Sequence, residues 1–130
     1  MSKVHLDTDF LIHALSRRGP EWRRLRDVMA SDAIVEMSAV AWYEFCRGPR
    51  TPEQTAAARA LFEDEGIIAF DERLAERARE EFRKAGSPRS RAADIAIGVT
   101  AASRDATLLT RNRNDFDGIE GLALEVISSD

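Results

Sequence analysis

Five short apolar segments along the chain predict β-strands. Between most of them, apolar residues recur every three or four positions, which is the spacing of amphipathic helices. The strands are predicted at residues Val4–Leu6, Ala33–Met37, Ile67–Phe70, Thr107–Thr110 and Leu124–Ile127. Because helices connect most of these strands, the pattern predicts an α/β fold with three layers (α/β/α), in which helices cover both faces of a mainly parallel sheet.

Capping and breaking residues predict where the helices begin and end. We expect Gly19-Pro20 to end the first helix and Gly66 to end the fourth, because glycine and proline interrupt helical geometry. Ser38, Thr51 and Asp71 are candidate N-caps. The predicted helices run from Phe10 to Gly19, over Trp22–Met29, over Ala39–Arg47, from Pro52 to Gly66, from Asp71 to Gly86, and over Arg91–Ser103.

The composition indicates one ordinary globular domain spanning residues 1–130. Hydrophobic residues make up 44% of the 130 positions and charged residues 32%. No apolar run approaches the roughly 18 residues of a membrane span, and the first residues lack the apolar core of a signal peptide. The single Cys46 excludes an internal disulfide framework. We therefore expect a cytoplasmic protein without a membrane association.

The charge is acidic overall, but its basic part is almost entirely arginine. The net charge of −4 argues mildly against nucleic-acid binding. Only Lys3 and Lys84 are lysines, and the arginine fork matches a phosphate better than an ammonium does. Arg91, Arg111 and Arg113 are candidates to contact substrate phosphates, or acidic or backbone groups of a partner protein.

Four acidic residues stand where solvation alone explains them poorly. Asp7 ends the first predicted strand, and Asp115 follows the fourth. Asp94 and Glu44 lie in the two most apolar helices. Each has a simpler explanation by itself, as a helix cap, a turn former or a solvent-facing position. Together they predict one site, because ligands of parallel α/β sheets bind at the carboxyl ends of the strands.

Such a group of carboxylates predicts a metal-dependent hydrolase. Clustered carboxylates repel one another unless some take up protons or a cation neutralises them. Oxygen ligands without a histidine or cysteine cluster favour Mg²⁺ or Mn²⁺. A Mg²⁺ ion held in this way leaves positions open for a substrate phosphate, which suits phosphodiester hydrolysis by a metal-activated water.

Several segments, in order along nearly the whole chain, resemble the successive motifs of the PIN-domain family. Within that family the chain is most similar to VapC-type toxins of bacterial toxin–antitoxin pairs. The segments are Leu6–Ile12, Ser38–Phe45, Ala93–Ile97, Leu109–Asn112 with Asp115-Phe116, and Gly118–Leu122.

The resemblance implies a Mg²⁺- or Mn²⁺-dependent endoribonuclease that acts as a toxin. It also implies a homodimer that a cognate VapB-type antitoxin inhibits, and contact with DNA only through that antitoxin. The four acids of the family fall on Asp7, Glu44, Asp94 and Asp115. Asp7 and Asp94 are the expected direct metal ligands, whereas Glu44 and Asp115 are expected to act through water.

Some positions leave the site assignment open. Thr110 and Ser38 are candidates to orient the waters of the site. Asp9 stands where the family commonly has an amide or a small polar residue, so it either joins the site or caps the helix. Asn112 stands where some members carry an acid, which leaves the fourth acidic role shared between Asp115 and Asp117.

Two other functions compete with this interpretation. Asp7-Thr8-Asp9 after a strand is the DxD pattern of a phosphatase of the haloacid dehalogenase type, but that chemistry needs a supporting lysine near the site. The second alternative is a non-catalytic module whose acids only bind a metal or a partner.

Overall fold

The computed structural model describes residues 2–127, and its centre is a five-stranded sheet. The strands, in the spatial order β3-β2-β1-β4-β5, all pair in parallel. They are β1 (Lys3–Leu6), β2 (Ile34–Ser38), β3 (Ile67–Ile68), β4 (Thr107–Thr110) and β5 (Ala123–Val126). The predicted parallel sheet is confirmed, and β3 is two residues shorter than the predicted strand Ile67–Phe70.

Six α-helices connect these strands. They are α1 (Thr8–Ala14), α2 (Gly19–Ala30), α3 (Ala39–Cys46), α4 (Pro52–Arg59), α5 (Glu72–Lys84) and α6 (Ala92–Ser103). Short 3₁₀ helices at Arg89–Arg91 and Arg113–Phe116 precede α6 and follow β4. Among residues 2–127, no helix is long and apolar enough to cross a membrane.

Two ion pairs show that helices cover both faces of the sheet. Glu36 on β2 pairs with Arg104, the residue that caps the end of α6. Glu125 on β5 pairs with Arg24 of α2. The strand register places Glu36 in one row with Leu124, so the side chain of the next residue, Glu125, points to the opposite face. Helices α6 and α2 therefore lie on opposite sides, and the three-layer α/β/α architecture is confirmed.

Two predicted helix ends are wrong. Gly19-Pro20 does not end α1, which stops at Ala14, but begins α2. Proline is favoured in the first helical turn because its missing N–H has no helical partner there. Helix α4 ends at Arg59 and not at Gly66, and the Arg59 guanidinium donates hydrogen bonds to the carbonyls of residues 62–64 in the turns that follow.

The chain order around β1 positions the functional site. From β1 the chain builds β2 and β3 on one side, and then crosses to build β4 and β5 on the other. The order of strands therefore reverses between β1 and β4. At such a switch point the connections leave in opposite directions and open a crevice at the carboxyl ends of the strands. Asp7 and Thr110 stand at this edge.

Candidate active site

Asp7 lies at the centre of the candidate site, between β1 and β4. It is the N-cap of α1, and its Oδ1 accepts a 2.8 Å hydrogen bond from the Thr8 amide. Its Oδ2 accepts a 2.9 Å hydrogen bond from the Thr110 hydroxyl. Burial raises the pKa of Asp7 to about 7; the Thr110 hydrogen bond opposes this rise and the charge of Asp94 adds to it. Asp7 therefore caps a helix and also presents a buried carboxyl group with unfavourable charge.

Glu44 is held against the start of α1. Its Oε1 accepts a 2.9 Å hydrogen bond from the Thr8 hydroxyl, which also lies 3.3 Å from the Ala41 carbonyl. Its Oε2 lies 3.8 Å from the Arg47 guanidinium, one helical turn further along α3. The side chain is 21% exposed, so it is neither core nor freely solvated. Thr8 thus bonds to both Asp7 and Glu44.

Asp94 interacts electrostatically with each of the other three acids. It lies in the first turn of α6 and is partly buried. Burial and, after it, the nearby charges of Asp115 and Glu44 raise the pKa of Asp94 to about 6, although the charge of Arg91 opposes the rise. Asp115 lies in the 3₁₀ helix that follows β4. Because Asp94 also acts on Asp7, all four predicted acids form one electrostatically coupled group.

The group fits a divalent cation by its donor chemistry. Two of its carboxyl groups are costly to ionise in the protein, and a positive ion would offset that cost. Within residues 2–127, no three acidic, histidine or cysteine side chains converge as a ready-made metal site. Magnesium does not need such a shell, because it is usually held by one or two carboxylates and several waters. Asp7 and Asp94, the two carboxyl groups with raised pKa values, are the residues that could hold such an ion.

Comparison with known proteins identifies the family. The family model described as "PIN domain" matches residues 4–122, most of the chain. The chain belongs to the PIN domain family. No curated protein sequence matches it.

Solved structures share the fold of this PIN domain. VapBC2 from Rickettsia felis, bound to a promoter DNA fragment, is 21% identical with a TM-score of 0.70, covering 95% of this chain and 97% of that chain. DNA-bound VapBC from Salmonella typhimurium is 21% identical with a TM-score of 0.68, covering 96% and 98%. A toxin–antitoxin complex from Klebsiella pneumoniae is 26% identical with a TM-score of 0.68, covering 92% and 95%.

The secondary site candidates of the PIN domain have local structural partners. Ser38 caps α3 by accepting a hydrogen bond from the Val40 amide. The Asn112 side chain caps the 3₁₀ helix after β4, and the main-chain amide of Asn112 donates a hydrogen bond to the Thr110 hydroxyl. Asp117 is exposed at the end of that 3₁₀ helix. Because the charge of Asp115 acts on Asp94, Asp115 fits the fourth acidic position better than Asp117 does.

Asp9 is paired with basic side chains, but its charge also contributes to the raised pKa of Asp7. The Asp9 carboxylate lies 3.0 Å from the Arg111 guanidinium and 3.4 Å from Nδ1 of His13. Arg111 also bonds Glu21, a residue of α2 whose side chain is 2% exposed. Arg111 therefore ties α1 and α2 to the end of β4, and its charge is largely engaged inside the domain.

The three candidate arginines differ in their surroundings. Arg91 donates to main-chain carbonyls at Asp115 and Asp117, and Arg111 pairs with acids of α1 and α2. Arg113 is exposed in the turn that carries Asp115. Of the three, Arg113 is the most accessible to a phosphate.

The sequence analysis did not single out Thr8 as a functional residue. Its hydroxyl holds Glu44 and its amide holds Asp7. The signal available in the sequence was its position, directly after Asp7 in the first turn of a helix. The contact with Glu44 spans 36 positions along the chain, so no local pattern reveals it.

Proposed function

We propose that the chain is a Mg²⁺- or Mn²⁺-dependent endoribonuclease, the toxin of a VapBC-type toxin–antitoxin pair. The observation that carries the proposal is the coupled group Asp7, Glu44, Asp94 and Asp115 at the switch point of a PIN domain. Membership of the family supports a nuclease, and the likeness to VapBC complexes supports the role of a toxin.

Asp7 and Asp94 would hold the ion, and Glu44 and Asp115 would orient waters around it. When bound, the ion would supply positive charge for the scissile phosphate and acidify a water for attack. Thr110 keeps the Asp7 carboxylate in one orientation through its hydrogen bond to Oδ2. Thr8 does the same for Glu44 through Oε1. The exposed Arg113 would hold the RNA backbone at the rim.

The phosphatase alternative loses support from the position of the lysines. Lys84 lies on α5 and pairs with Glu81 and Glu120. Lys3 donates to the Arg104 carbonyl, 3.4 Å away, at the end of α6 that is remote from Asp94. Neither lysine supports a phosphate at Asp7. Asp9, the second acid of the DxD pattern, is paired with Arg111.

Substitution of Asp94 tests the catalytic proposal. Asp94→Asn keeps the shape of the side chain and removes its charge, so cleavage of a single-stranded RNA in Mg²⁺ should fall at least about 100-fold. Mutation of a residue that only hydrogen-bonds to a metal ligand already lowers metal affinity or activity about 10- to 100-fold. Asp27→Asn, the same change at an exposed position on α2, is the matched control. If Asp94→Asn cleaves as well as the parent chain does, the proposal is wrong. Metal binding without cleavage in the parent chain would favour the non-catalytic module.

An apolar groove is the candidate surface for the antitoxin. A cavity of about 440 Å³ opens where the end of α1 meets α3 and α4. Apolar side chains line it and two arginines border it, which suits an amphipathic segment that carries acids. The apolar residues are Ile12, Leu15, Phe45 and Ala57, and the arginines are Arg17 and Arg50.

The partner proposals have separate tests. Ile12, which is 38% exposed, lines the groove, so Ile12→Glu should weaken inhibition by the cognate antitoxin and leave cleavage unchanged. Unchanged inhibition would contradict the groove assignment.

The homodimer proposal predicts twice the monomer mass of 14.5 kDa in light scattering. We further propose a cytoplasmic location, and DNA contact only through the antitoxin.

A further inference from the structure

The Arg91 side chain is bound to main-chain oxygens of the turn that carries Asp115. Its Nε and Nη2 lie 3.2 Å and 3.1 Å from the Asp115 carbonyl oxygen. The same Nη2 lies 3.0 Å from the Asp117 carbonyl oxygen. One guanidinium group therefore holds both the last turn of the 3₁₀ helix Arg113–Phe116 and the residue that follows it.

The Asp115 carbonyl lies in the last turn of the 3₁₀ helix, and the Asp117 carbonyl lies just beyond its end. The last carbonyls of any helix lack partners within the helix, and they carry its negative partial charge. A guanidinium group answers both needs, because its planar fork reaches several acceptors at fixed angles and keeps its charge. A lysine ammonium at this position would keep the charge but not the fork.

The position of Arg91 in the chain makes this contact important for the site. Arg91 is the N-cap residue of α6, and Asp94 lies in the first turn of that helix. The Arg91 fork therefore joins the start of the helix that carries Asp94 to the turn that carries Asp115. Arg91 and Asp115 are 24 positions apart in the chain, so their contact fixes one loop against another.

We propose that Arg91 is a positioning residue of the metal site, and not a contact for RNA or for the antitoxin. It holds the Asp115 turn against α6, so that the carboxylates of Asp94 and Asp115 face the same ion. This inference rests on the proposed function. Contact with the RNA backbone is then left to Arg113, which is exposed in the same turn.

The test compares four variants of the full chain, Arg91→Lys, Arg91→Gln, Arg89→Gln and Arg113→Gln. Arg89 is exposed two positions before Arg91 and gives a loss of charge nearby. The charge of Arg91 acts on Asp94, so Arg91→Lys, which keeps that charge, isolates the loss of the guanidinium fork. Three quantities are measured: the affinity for Mn²⁺ by calorimetry without RNA, and both kcat and KM for a single-stranded RNA at saturating Mn²⁺. Both Arg91 variants should bind Mn²⁺ about 10- to 100-fold more weakly, which is the usual cost of losing a residue that orients metal ligands.

The expected pattern separates positioning from substrate contact. The KM for RNA should stay unchanged in Arg91→Lys and should rise in Arg113→Gln. The Mn²⁺ affinity, kcat and KM should all stay unchanged in Arg89→Gln. Parental Mn²⁺ affinity in both Arg91 variants overturns the proposal. A raised KM with parental Mn²⁺ affinity also overturns it, and would make Arg91 a substrate contact.

Hydrogen exchange tests the anchoring of the turn by Arg91 independently of the proposed function. Amides of residues 113–118 should exchange faster in Arg91→Lys, while those in the middle of α6 stay protected. Unchanged exchange in the turn overturns the positioning role. A parent chain that neither binds Mn²⁺ nor cleaves RNA would refute the proposed function instead, and the two failures are therefore distinguishable.

Discussion

The strongest prediction outside the candidate site concerns the buried carboxylate of Glu36 in the central sheet. Glu36 on β2 is 1% exposed, and its carboxylate accepts hydrogen bonds from the Arg104 guanidinium. Nε2 of His5, on the neighbouring strand, lies 2.9 Å from Oε1 of Glu36. Glu36→Gln keeps the volume and removes the charge, so the partly exposed Arg104 guanidinium loses its carboxylate partner. We expect a clear loss of stability, because breaking an ion pair on a buried carboxylate by changing one partner is costly.

The pKa of Glu36 sets the size of this loss. Burial alone raises that pKa, but the hydrogen bonds and charges of His5 and Arg104 outweigh burial and lower it to about 2 from its usual 4.5. One pKa unit corresponds to about 1.4 kcal/mol, so a fall from 4.5 to about 2 means that the ionised carboxylate contributes at most about 3.5 kcal/mol. A carboxylate whose folded-state pKa is depressed stabilises fully above its unfolded pKa, and this stability is lost as the pH falls toward 2.

Urea unfolding followed by tryptophan fluorescence measures the effect. At pH 7 we expect Glu36→Gln to lose about 2–3 kcal/mol, and near about pH 3.5 the difference from the parent chain should shrink by about 1 kcal/mol. Glu125→Gln is the matched control, because its pair with Arg24 is 37–39% exposed and exposed pairs contribute about 1 kcal/mol or less. Equal losses in the two variants, or a Glu36 effect that does not change with pH, would refute the reasoning.

Three further predictions follow from the local contacts. Thr8→Val should weaken Mn²⁺ binding about 10-fold or more in calorimetry, because Glu44 loses its hydroxyl partner, and Thr8→Ser should restore it; equal binding by both variants would contradict this role. Gly98→Leu should cost about 2 kcal/mol or more in urea unfolding, because even a Cβ at Gly98 would lie 2.5 Å from Cδ1 of Ile119. Thr51→Ala should cost about 1 kcal/mol in the same assay, because the capping box of α4 is lost; an unchanged midpoint would exclude that contribution.

Local sequence determined the architecture of this protein. Short apolar segments identified all five strands, and apolar residues at helical spacing identified the helices between them. Such patterns are visible in the sequence because each element must bury one face in the core. Parallel pairing of the first four strands followed from the helical connections, whereas the described residues between β4 and β5 form no α-helix. Capping predictions at Ser38, Thr51 and Asp71 are confirmed, since each cap satisfies amides within four residues of itself. The four acids were recognised from their apolar neighbours and strand-end positions.

Tertiary structure decided what those residues contact. The order β3-β2-β1-β4-β5 brings Asp7 and Thr110 together across 103 positions, and Thr8 and Glu44 across 36. The sequence indicates only that Arg91 is a cation near Asp94, whereas the folded turn shows that its guanidinium donates hydrogen bonds to the Asp115 and Asp117 carbonyls. A pattern within one element reflects which face is buried. A hydrogen bond between distant elements depends on how the whole chain packs, and no local period encodes it.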